Sequence, residues 1–125
     1  MIATSYDSSN IFAKILRGEI SCKKILETPY ALAFEDIYPK APIHILVIPK
    51  GAYVSFSDFS QNASPENVAG FFKSVGEVAQ KVGLESSGYR ILSNNGANAH
   101  QDVPHFHIHI VGGHALGPIL SAFHG

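Results

Sequence analysis

The sequence predicts an α+β domain: a mainly antiparallel sheet of about five strands, with one long and one short helix against it. Three observations carry this expectation. Short apolar runs rich in β-branched residues, such as His44-Ile45-Leu46-Val47-Ile48, are separated mostly by turn residues rather than by helices. A sustained helical period runs through one long segment, residues 65–82. The 125 residues, 46% hydrophobic and 15% charged, suffice for one core but not two.

In chain order, residues 1–9 are polar and unpatterned and read as a flexible arm before a single domain spanning 10–125. Asn10 caps a short helix over 11–17, with Phe12, Ile15 and Leu16 on one side and Gly18 as the stop. Strands follow at about 23–28 and 30–35, with Thr28-Pro29 as the turn. Residues 36–42 carry two prolines and form a loop into a buried strand, 44–48, ended by Pro49. The long helix has Ser64 as N-cap, Pro65 and Glu66 in its first turn and Gly83 beyond its end. Its apolar stripe, Val68, Phe71, Phe72, Val75, Val78, Ala79 and Val82, is core packing. Residues 88–93 form a strand, 94–104 a polar loop and 105–111 the last strand, broken by Gly112-Gly113. The apolar tail, with Leu116, Ile119, Leu120 and Phe123, suggests a two-fold homodimer on so small a chain.

Composition excludes several classes of function. A net charge of −1 leaves no broad basic surface for nucleic acid, although a local site for a small phosphorylated ligand remains open. No apolar run approaches the roughly 20 residues of a membrane helix. The single cysteine, Cys22, excludes an internal disulfide and fits a reducing compartment. The first residues lack a secretion pattern, so a cytoplasmic location is expected.

Histidine is the departure from average: of seven, five lie within residues 100–114. His105-Phe106-His107-Ile108-His109-Ile110 alternates strictly, so in a strand the three histidines share one face about 6.6 Å apart, and the apolar residues share the other. Core or surface histidines are one reading, yet each imidazole pays desolvation without a matching hydrophobic gain. Zinc is a second, although three rings at that spacing converge poorly on one ion, and no second cysteine or HExxH helix is present. The third, which we favour, is chemistry at phosphorus: a neutral imidazole attacks while a neighbouring one stabilises charge.

His105-Phe106-His107-Ile108-His109-Ile110-Val111 resembles the signature of the histidine triad (HIT) family. The resemblance spans nearly the whole chain. It takes in Ile11–Ile15 with Gly18-Glu19-Ile20, then Leu32–Ile37, Ala41–His44, Leu46–Lys50, Gly88-Tyr89-Arg90 and Gly112-Gly113, in the manner of the Hint branch of purine nucleoside phosphoramidases. It implies a HIT-like fold and a two-fold dimer. It also implies hydrolysis at the α-phosphate of a purine nucleotide or nucleoside phosphoramidate of AMP or GMP type, with no cofactor and no metal. By the resemblance His107 is the nucleophile, its other ring nitrogen held by a backbone carbonyl. His109 contacts phosphate and helps protonate the leaving group, and His105 and His44 support the row. Asp36 takes the ribose hydroxyls. Phe12, Ile15, Ile20, Phe34 and Ile37 enclose the base, and Asn94, Gly96, Gln101, Asp102 and Val103 complete the nucleotide site. Asp102 stands where many relatives carry a hydroxyl, His114 where arginine is common, and no tryptophan is present, so the leaving-group side differs. A nucleotide-binding partner protein and a dinucleoside polyphosphate hydrolase are the alternative functions.

Overall fold

The computed structural model describes residues 5–120 and 123. The elements run α1 (Ile11–Leu16), β1 (Lys24–Glu27), β2 (Ala31–Glu35), β3 (Ile43–Pro49), α2 (Phe56–Asn62), α3 (Pro65–Lys81), β4 (Tyr89–Leu92), a 3₁₀ turn (Ala97–Ala99) and β5 (Ile108–Gly112). The five strands form one sheet in the order β1-β2-β3-β5-β4, antiparallel at every pairing. This is the expected α+β architecture.

Local chemistry sets the helix ends. Asn10 Oδ1 accepts from Ala13 N at 2.9 Å to start α1, and Ser64 Oγ accepts from Asn67 N at 3.1 Å to start α3. Gly83, at φ +79°, turns the chain out of α3 in a conformation that costs a glycine nothing. The unexpected element is α2, begun by Ser55, whose Oγ accepts from Asp58 N at 3.2 Å.

Strand alternation sorts side chains onto two faces. Ala31, Ala33, Ile45, Val47, Ile108 and Ile110 face α2 and α3, where they pack with Phe59, Phe71, Val75, Val78, Leu84 and Phe106. Phe59 and Phe106 stack at 4.8 Å between ring centroids, at the centre of this layer. The opposite face carries Leu32, Phe34, Leu46 and Ile48 under Phe12, with Ile15, Leu16, Cys22 and Val103 at its margin. This second face is thinly covered, by a helix of six residues, and His44 and His109 lie on it.

The last strand begins at Ile108, three residues later than expected. Its partner β3 pairs Val47 with Ile108 and then diverges toward Pro49, whose nitrogen carries no hydrogen to donate. Phe106 N donates instead to Tyr53 O at 2.7 Å, and Ser93 Oγ donates to His107 O at 2.8 Å. His105, at a bend, and His107 thus sit outside the ladder, with His109 inside it. At the far end of β5, Gly113 takes φ +95°, and a Cβ there would lie 3.0 Å from Pro42.

Of the N-terminal arm, residues 1–4 lie outside the described residues, while Tyr6 is half-buried against His105. In the apolar tail, Ile119, Leu120 and Phe123 are exposed. Among the described residues, no helix is long and apolar enough to cross a membrane.

Candidate active site

Four histidines meet on the thinly covered face. His107 and His109 lie with ring centroids 5.1 Å apart, and His44 and His109 likewise at 5.1 Å. His44 comes from β3 and His109 from β5, diagonal to each other and two residues off the cross-strand pair His44–Val111. His105 is fully buried behind them, and Phe12 meets the edges of both His105 and His107.

Hydrogen bonds to groups that can play only one part fix which nitrogen of each neutral ring carries its proton. His107 Nδ1 lies 2.7 Å from His105 O. A carbonyl only accepts, so Nδ1 holds the hydrogen and Nε2 the lone pair. The second chain of bonds runs the other way. Lys40 N donates to His44 Nδ1 at 3.0 Å, so His44 carries its hydrogen on Nε2. That nitrogen lies 2.9 Å from His109 Nδ1, which must accept, and His109 keeps its hydrogen on Nε2. His109 Nε2 is buried and has no partner among the described residues. The two neighbouring rings therefore present opposite functions, a lone pair from His107 and an N–H from His109.

Burial keeps these rings uncharged. It pushes His105 down to about 4 and, with His107 and His44 alongside, His109 to about 4 as well. His107 is lowered by burial, against the opposing pull of its backbone bond and of Asp102 and Asp36. His44 is lowered by burial and by Lys40, with Asp36 acting in the opposite sense. A histidine whose folded pKa lies below its unfolded value binds fewer protons when folded, so the stability it contributes is full above pH 6.5 and lost as pH falls toward 4. For His105, a drop from 6.5 to about 4 at about 1.4 kcal/mol per unit sets a scale on the order of 3 kcal/mol. Urea denaturation at pH 7.0 and 4.5 is expected to show this loss; a midpoint unchanged between them would contradict the buried neutral row.

Two cavities open on either side of His109. The first, about 260 Å³, is lined largely by apolar groups, Phe12, Ile15, Ile20, Phe34, Ile37 and Val103, together with Asp36, Asp102, His107 and His109. Ile37 is 78% exposed and forms its rim. The second, about 510 Å³, is more polar and brings Asn94 together with Asp36, Asp102, His44 and His109. Asp36 thus stands at the junction of the two, with Oδ1 accepting from Tyr38 N at 2.8 Å and Oδ2 lying 3.4 Å from His44 Nε2.

Two expected ligand contacts are not placed there. Gly96 N–H is consumed by Gln101 Oε1 at 2.9 Å, so it offers no free donor to an anion. Gln101 Nε2 donates to Val54 O and Val103 O at 2.7 and 3.0 Å. Gly96 and Gln101 brace the loop, and neither lines either of these two cavities. Sequence reasoning missed Cys22, Tyr38 and Leu46 on the apolar side, and Lys40 and His100 on the polar side. His100, at φ 58°, is the one non-glycine residue in the left-handed region among the described residues, a local hint of a shaped loop.

Asp36, His44 and His109 place one ligand atom each within 4.8 Å, the one candidate metal set among the described residues. The tautomers oppose it. His44 Nε2 carries the hydrogen because Nδ1 accepts from Lys40 N, and a metal on Nε2 would force two N–H groups to face each other.

The chain that builds this sheet and its row of histidines has known relatives. Residues 17–116 match the HIT domain, and the chain belongs to the HIT family. It is 59% identical over 120 residues to a HIT-like protein of Azospirillum brasilense, covering 96% of this chain and 98% of that one. It is 38% identical over 112 residues to the purine nucleoside phosphoramidase of Escherichia coli, covering 89% and 92% respectively. Among solved structures, a histidine triad protein from Clostridium difficile superposes with a TM-score of 0.82 at 36% identity, covering 90% of this chain and 96% of that one.

Proposed function

We propose that this chain is a nucleotide-binding hydrolase that cleaves purine nucleoside phosphoramidates at the α-phosphate through a covalent nucleotidyl-histidine. The observation that carries this reading is the pair of opposed tautomers, His107 Nε2 as lone pair and His109 Nε2–H as donor, on adjoining rings. In the first step the substrate's anionic phosphate draws a proton from solvent onto His109, His107 Nε2 bonds to phosphorus, the P–N bond breaks and its electron pair leaves with the amine, which takes a proton from the His109 imidazolium and returns that ring to neutral. In the second, water deprotonated by His109 attacks phosphorus, the P–Nε2 bond breaks, and a nucleoside monophosphate departs. The apolar cavity suits a base, and the adjacent acceptor oxygens of Asp36 suit two ribose hydroxyls. Asn94, in the polar cavity, suits the phosphate or the departing group. The name of the Escherichia coli relative supports the purine and phosphoramidate classes.

The test is AMP release from adenosine 5′-phosphoramidate in excess chelator, with intact-mass detection of an adenylylated protein after rapid quench. We expect chelator-insensitive turnover and a transient adduct. Binding without release would favour a nucleotide-binding partner, and preferential cleavage of a dinucleoside polyphosphate would shift the substrate class. The same reading includes a two-fold homodimer, supported by the apolar side chains Tyr89, Ile91 and Leu92 exposed on edge strand β4. Sedimentation is expected to give a mass of two chains, and a single-chain mass would exclude it.

A further inference from the structure

We infer that Tyr6, outside both cavities, is a positioning residue that holds His107 in its attacking tautomer through His105. Its hydroxyl lies 2.6 Å from His105 Nδ1, and its ring meets the imidazole edge-on at 5.6 Å. At the other end of that imidazole, Nε2 lies 3.1 Å from Pro49 O. Pro49 O only accepts, so Nε2 carries the hydrogen, Nδ1 is the acceptor, and the tyrosine hydroxyl donates. The His105 side chain is thereby clamped at both ring nitrogens. The backbone carbonyl of this same residue receives His107 Nδ1–H. Phe12 touches both rings, with centroids 6.3 Å from His105 and 5.0 Å from His107, so a tilt of one ring is passed to the other.

The segment that delivers Tyr6 is built for a fixed position. Asp7 Oδ1 accepts from Ser9 N and Ser9 Oγ at 2.9 and 2.6 Å. Asp7 O accepts from Asn10 N and Asn10 Nδ2 at 3.2 and 2.8 Å. Arg17 Nη1 donates to Ser8 O at 2.8 Å, which ties the turn to the far end of α1 as well. Tyr6 leaves a tight turn anchored at both ends of the helix whose Phe12 covers the histidines.

Removing the hydroxyl orphans a buried acceptor and leaves His105 held at one end. A catalytic group displaced by about 1 Å can lose about 100-fold in rate, and a loosened clamp loses part of that. Tyr6→Phe keeps the ring packing and removes only the hydroxyl. This inference rests on the nucleophilic role proposed for His107, and the experiment separates the two. Wild-type protein without AMP release refutes that role directly. With turnover present, Tyr6→Phe is expected to lower kcat about tenfold, with KM changed less than twofold because Tyr6 lines neither cavity. Long-range ¹H–¹⁵N spectra, which read tautomers without activity, are expected to show one His107 tautomer in the wild type and a mixture in the variant. Asp7→Ala, which keeps the hydroxyl but removes the two bonds from Ser9 to the Asp7 carboxylate and so loosens the turn, is expected to give the same signature at about threefold loss and serves if Tyr6→Phe fails to fold. Unchanged kcat, a change confined to KM, or a fall in kcat with the histidine spectra unaltered would each overturn the inference.

Discussion

His107→Ala is expected to reduce kcat/KM for AMP release by on the order of 10⁴-fold or more, and to abolish the quenched adduct entirely. Losing a covalent nucleophile removes the two-step route and leaves only what binding and donors supply to water, a loss seen at this scale in other covalent hydrolases. Folding is not expected to suffer in proportion. The His107 ring packs edge-on to Phe12 and bonds only to the carbonyl of His105 two residues before it, so nothing in the large core layer under α3 depends on it. Nucleotide affinity in the variant should stay within a few-fold, because the apolar slot and Asp36 are untouched. Turnover that survives the substitution, measured under single-turnover conditions, would remove the nucleophile from the mechanism.

His109→Ala is expected to cost about 10²- to 10³-fold, and the loss should depend on the leaving group. An amine needs a proton as the P–N bond breaks; an activated phenolate does not. With an alkylamine phosphoramidate the full loss is expected, and with a nitrophenyl nucleotide ester the variant should recover most of the wild-type rate. His44→Ala should show the same pattern more weakly. It leaves His109 Nδ1 without the donor that places the hydrogen on Nε2. An equal loss across leaving groups would mean that His109 works on the attacking side or on the fold.

The alternation from His105 to Ile110 was legible because its two faces differ in kind: imidazoles on one, Phe106, Ile108 and Ile110 on the other. The helix after Ser64 was equally plain, since cap, proline, stripe and closing glycine agree. Its short neighbour α2 was not. Seven residues with one fully committed apolar side chain, Phe59, give no period to read, and only Ser55 and Asp58 marked its start. The late start of β5 was hidden as well, because extended chain alternates whether or not a partner strand lies beside it, and the partner is fixed by residues some 60 positions away. Gly96 misled through its type: a glycine after two asparagines suits an anion, but here its amide is spent on Gln101. The tautomers depended on Lys40 N and Pro49 O, backbone atoms that carry no residue-specific signature.

The early divergence of β3 from β5 has a mechanical consequence. His109 is mounted on a strand paired on both sides, whereas the span of His107 is held by single bonds, Ser93 Oγ to His107 O and Phe106 N to Tyr53 O, and its ring by His105 O. In the proposed reaction the proton donor is thus carried by the sheet itself, and the attacking ring by a span bonded outside it. That reaction therefore draws bond making and proton delivery from two differently bonded stretches of backbone within three consecutive residues.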